Sequence, residues 1–130
     1  MPIDRNDTLE QLEGRQLGEP EFGSSLVEKA HRLYKQPLSA FTIEDLRLMI
    51  GQGLGLEFLV PLAIEVLERD PLAGGEYHPG DLLLAVLRVS KDFWNSHQEL
   101  YWTVNEVAAE LPPILAALKE SIEKFQAHSP

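Results

Sequence analysis

The segment "GEYHPGD", Gly75–Asp81, is where this chain comes nearest to carrying chemistry. Glu76, His78 and Asp81 crowd around Tyr77, and two carboxylates with an imidazole could hold a hard cation or pass a proton between an acid and a base. The spacing supports neither role. No HExxH or similar helical ligand pair occurs, and the four histidines (His31, His78, His97 and His128) are scattered. Paired glycines and a Pro-Gly step mark the segment as an exposed loop. A small enzyme built on Glu76, His78 and Asp81 would need a pocket of convergent polar groups that the sequence does not announce.

A second candidate is "GQGLG", with Gly51, Gly53 and Gly55 alternating between two apolar runs. A phosphate-binding glycine loop follows a strand and opens a helix, and a P-loop adds Lys and Ser/Thr. Here the glycines follow a helical pattern, GxxxxGK[ST] is missing, and Glu57 would repel an anion. Gly51 is therefore read as a helix terminator and the rest as a tight corner between two closely packed helices. Ser24, Ser25 and Ser39 sit in cap or turn contexts, not in a GxSxG elbow. With no cysteine, disulfides, thiolate metal sites and a cysteine nucleophile are excluded. The residues describe a protein without catalytic groups, metal or cofactor.

Charge says more. The 130 residues carry 21 acidic and 11 basic side chains, a formal net charge of -10. Such a surface repels nucleic acid and anionic lipid and steers cationic partners inward. The acid is blocked. Asp4, Asp7, Glu10, Glu13, Glu19 and Glu21 oppose Arg5 and Arg15, and Glu57, Glu65, Glu68, Asp70, Glu76 and Asp81 oppose Arg69 alone. No run reaches the roughly 18 apolar residues of a membrane span, and the N-terminus lacks the apolar core of a secretory signal, so a soluble cytoplasmic protein is expected.

The elements that position these residues read as helices. "SSLVEKAHRLYKQ" spaces Leu26, Ala30, Leu33 and Tyr34 on one face, and Pro37 ends it. "FTIEDLRLMIG" has Thr42 as N-cap, Asp45 three positions on, and an apolar face of Ile43, Leu46, Met49 and Ile50, which predicts a helix over 43–50. "LEFLVPLAIEVLERDP" continues through Leu59, Leu62, Ala63, Val66 and Leu67, with a kink or a restart expected at Pro61. "GDLLLAVLRV" predicts a short buried helix. Phe93 and Trp94 are placed in the turn before a helix carrying Leu100, Val104, Val107, Ala108 and Leu111. Trp94 is read as core, and Tyr101 and Trp102, about 100° apart on a helix, cannot both face it. "PPILAALKESIEKFQ" closes the chain as an amphipathic helix with Ile114, Leu115, Leu118, Ile122 and Phe125. Strand and hairpin signals are absent, so the expectation is an all-α single domain over 1–130 of about six helices, with 1–20 a flexible acidic segment.

Four blocks carry a resemblance. These are "GEPEF" (Gly18–Phe22), "PLSAFTIEDLRLMIGQ" (Pro37–Gln52), "LVPLAIEVLERDPLA" (Leu59–Ala73) and "PGDLLLAVL" (Pro79–Leu87). In this order and spacing, across Leu12 to Val89, the chain resembles the immunity proteins of contact-dependent growth inhibition (CDI); the aromatic that the family carries before the first block is Leu17 here. The resemblance implies a helical protein that binds and neutralises the toxic C-terminal domain of a cognate effector delivered by a neighbouring cell. Such toxin domains are often nucleases and hence cationic, so an acidic immunity protein can mimic the phosphate surface they seek. On that reading Glu57, Glu65, Glu68, Glu76 and Asp81 contribute to the toxin-facing patch and Tyr77 is its aromatic anchor. Reversing the charge of Glu65 with Glu68 is expected to slow association. A helical adaptor for some other cationic partner would use the same acidic surface.

Overall fold

The computed structural model describes residues 4–14 and 25–128. The first block of the resemblance and the candidate cap Ser24 lie outside them. The order is α1 (Leu9–Glu13), α2 (Ser25–Tyr34), a 3-10 turn (Leu38–Ala40), α3 (Ile43–Gly51), α4 (Leu56–Arg69), α5 (Asp81–Leu87), α6 (Lys91–Ser96), α7 (Gln98–Ala109) and α8 (Leu111–Gln126). The fold is all-α, and the described residues contain no strand. No helix among them is long and apolar enough to cross a membrane.

α3 forms as its sequence predicts. Thr42 Oγ1 accepts from Asp45 N at 3.1 Å and Asp45 Oδ2 accepts from Thr42 N at 3.0 Å, satisfying two amides that the first turn would otherwise leave free. Leu46, Met49 and Ile50 then turn inward. They meet α5, which buries Leu82, Leu83 and Val86, and α4, which buries Leu59, Val60, Ala63, Ile64 and Leu67. α7 packs on α4 through the buried Val104. Close-packed side chains of this kind tolerate little change of volume.

The alternating glycines make the tight corner that the sequence suggests, but Gly51 is not its left-handed residue. Gly51 stays in the helix and Gln52 caps it; the left-handed residues are Gly53 (φ 73°) and Gly55 (φ 62°). Gly55 begins α4, and a Cβ there would lie 3.0 Å from a Leu9 methyl and 3.2 Å from Leu59. Positive φ and close approach thus act together at one position. Gly55→Ala is expected to cost about 2 kcal/mol, read as a lowered urea midpoint with unchanged slope.

Pro61 neither ends nor restarts α4, which runs continuously from Leu56 to Arg69. The missing N–H leaves the Glu57 carbonyl without its helical partner, but Glu57 is exposed and water can reach that side. Within residues 4–14, Thr8 and Gln11 form a capping box, and Leu9 of α1 is wholly buried. Ser39 N donates to Arg5 O at 2.8 Å and Leu38 N to Asp7 O at 3.0 Å, tying this segment to the 3-10 turn.

Phe93 and Trp94 form a helix of their own, α6, instead of a turn. Trp94 is half-buried and donates its indole N–H to Val89 O at 3.1 Å. Tyr101 and Trp102 are both exposed. α8 follows α7 after Glu110, where Pro112 and Pro113 cannot supply the amides that would continue the ladder. Every residue from Pro112 to His128 is exposed.

Candidate functional site

The α4–α5 loop is held by its main chain. Asp81 opens α5 and is only 5% exposed. Its Oδ1 accepts from Gly75 N at 2.7 Å, and its Oδ2 accepts from Tyr77 N at 3.1 Å and His78 N at 3.4 Å. Burial, the largest single influence, pushes this carboxyl up, but the three amides and the nearby Arg47 together outweigh it and leave its pKa below the ordinary value.

A second anchor comes from α3. Arg47 donates to both Glu44 oxygens, Nε to Oε1 at 2.7 Å and Nη2 to Oε2 at 2.6 Å, a forked pairing of planar groups. Glu44 Oε1 also accepts from Glu76 N at 2.9 Å, and Arg47 Nε lies 3.9 Å from Asp81 Oδ2. The hydrogen bonds from Arg47 pull Glu44 down to about 2, against some opposing desolvation, while the same bonds raise Arg47. Tyr77 lays its ring over this guanidinium, with Cζ 4.4 Å from the centroid, yet remains 73% exposed.

Glycine is required here for space. A Cβ on Gly75 would meet Glu44 Oε1 at 2.2 Å, and one on Gly74 would meet His78 O at 2.5 Å. Beside the loop lies an open cleft of about 350 Å³, with Arg47, Gln52, Tyr77, His78 and Arg88 on its walls. Its walls carry Arg47 and Arg88 together with Asp81, and Arg47 is already paired with Glu44 and Asp81.

The other candidate residues stand on α4. Glu57, Glu65 and Glu68 are exposed and fall within about 80° of one another around the helix, a row roughly 16 Å long. Glu65 is engaged by Arg5 of the N-terminal segment.

The six residues picked from sequence thus fall into three settings. Glu57, Glu65 and Glu68 share one helix face; Glu76 and Tyr77 sit together on the exposed loop; Asp81 is buried beneath it, its oxygens occupied by amides. Asp81 holds the Tyr77 amide in place from beneath. The same occupancy removes Asp81 as a free base for an enzyme at this loop. Among the described residues, no group of three or more His, Asp or Glu side chains is arranged to hold a metal ion.

Sequence reasoning missed Glu44 and Arg47. Their i,i+3 spacing on a helix was visible as a local ion pair. That the pair reaches a loop 32 residues away was not, because nothing local encodes that contact.

An all-helical body thus presents an acidic helix face and, on a loop anchored through its amides, an exposed aromatic. The family model for CDI immunity proteins matches residues 11–104, and the chain belongs to that family. The match runs from α1 through most of α7 and stops short of α8. None of the curated proteins matches the chain. Membership implies immunity to a CDI toxin, in a family that is generally non-catalytic.

Proposed function

We propose that the chain neutralises the C-terminal toxin domain of its cognate CDI effector, that this domain is a cationic nuclease, and that the acidic row on α4 and the Tyr77 loop receive it. The observation that carries this reading is the exposed row of Glu57, Glu65 and Glu68 on one face of α4. Carboxylates aligned on one helix face present negative charge to a nuclease as a phosphate backbone would, and they accelerate the encounter over a long range. Glu76 extends the charge at the loop, Tyr77 supplies an aromatic body at small entropic cost, and Asp81 keeps Tyr77 in place.

Because Glu65 already carries Arg5, Glu57 and Glu68 are the cleaner pair to reverse. With the cognate toxin domain as ligand, E57K/E68K is expected to slow association about tenfold at low salt, with the difference fading near 0.5 M salt. An unchanged low-salt rate would remove the α4 face from the interface. The nuclease component is tested separately, by whether the isolated toxin domain degrades nucleic acid and whether stoichiometric immunity protein stops it.

A further inference from the structure

α8 carries an apolar stripe that the other described residues leave uncovered. Ile114, Leu115, Leu118 and Ile122 are each about half exposed and Phe125 is 81% exposed. Leu111, Leu115, Leu118, Ile122 and Phe125 fall at alternating spacings of four and three, the seam of a two-helix coiled coil. Together the exposed apolar side chains offer roughly 500 Å² per molecule, as large as the largest patch on a typical monomer.

We propose that this stripe is the contact between two copies of the chain, with the two α8 helices packed antiparallel. Three features favour a second copy. The first is charge: Lys119 and Lys124 balance Glu120 and Glu123, so α8 is neutral on a chain of net charge -10. Two acidic molecules repel least where this neutral helix faces its copy, and a cationic partner gains little on it. The second is self-complementarity. Lys119 and Glu123 lie on the same side of the stripe, and with Leu118 of one helix opposite Ile122 of the other, antiparallel packing sets each Lys119 between the second copy's Lys119 and Glu123, so that the two glutamates offset the paired lysines. The third is area: two such faces bury roughly 1,000 Å² or somewhat more, the low end of specific interfaces, which suits a dimer that dissociates in the micromolar range. α8 lies outside the residues shared with the family, so pairing there leaves α4 and the Tyr77 loop free.

Sedimentation of the whole chain across roughly 1 to 500 μM tests this. The mass should rise from 14.6 kDa towards twice that value. L118E/I122E changes exposed side chains only, so its helical content should be unchanged while its self-association weakens at least 100-fold. K119E should weaken pairing several-fold, and K119E/E123K should restore it. A wild-type chain that stays monomeric throughout, or an L118E/I122E variant that still dimerises, overturns the proposal. So does a monomeric chain whose toxin binding is lost in L118E/I122E, which would assign the stripe to the toxin.

Discussion

Asp81→Ala lowers the stability of the protein by about 3–4 kcal/mol, measured as a urea midpoint shift at neutral pH. The carboxylate serves three amides while 5% exposed, and its removal leaves Gly75 N, Tyr77 N and His78 N without acceptors and Arg47 with one anion fewer. Hydrogen bonds to a charged group contribute about 1.5–3 kcal/mol each, but water can reach part of the opened loop, so the total is well below their sum. Asp81→Asn keeps one oxygen and should lose about half as much. Tyr77→Ala, at a surface position, should change stability by less than about 0.5 kcal/mol. If Tyr77 also anchors the toxin, that variant weakens binding about 30-fold with the fold intact, and this contrast separates the residue that touches from the one that positions. Equal stability of Asp81→Ala and wild type would refute the anchoring role.

The second large effect depends on pH. Glu44 has its folded-state pKa lowered from 4.5 to about 2, chiefly by the hydrogen bonds from Arg47. The unfolded chain takes up this proton first, so the stabilisation is complete above about pH 4.5 and drains away as pH falls towards 2. With the side chain 13% exposed, a depression of that size corresponds to up to about 3 kcal/mol. Glu44→Gln is therefore expected to be less stable than wild type by about 2–3 kcal/mol at pH 7, with the two urea midpoints converging near pH 2. A gap that stayed constant across this range would mean that Glu44 acts through packing and not through its charge.

The sequence was most informative where the determinants are local. The α3 cap needs only Thr42 and Asp45, three residues apart, and the short buried α5 needs only its run of apolar residues after Gly80. The sequence said least where distant residues decide. Gly55 is constrained by Leu9 from α1, and Pro61 sits within an unbroken helix because its side of α4 faces water and packing holds the rest. The candidate site divides in the same way. Acidity and aromatic character could be read from residue types, but burial of Asp81 and its role under Tyr77 depend on amides and a guanidinium brought in by folding. The apolar face of α8 was equally legible as a pattern, while its exposure was not, since periodicity does not reveal whether a face finds a partner within its own chain.

The loop from Gly74 to Asp81 divides its residues by which part of each one the fold uses. Positions 74 and 75 admit nothing larger than hydrogen, and position 81 must supply two acceptor oxygens. At 76, 77 and 78 the hydrogen bonds from Glu44 and Asp81 grip amide groups, which every residue except proline provides, and the side chains add the Tyr77 ring over Arg47 and His78 Nδ1 against Pro79 O. Three adjacent outward-facing side chains can therefore be exchanged without dismantling their support. Under the proposed function, such an arrangement would let a lineage follow a changing toxin by replacing residues at the tip of the loop, at little risk to folding, while the frame beneath stays the same.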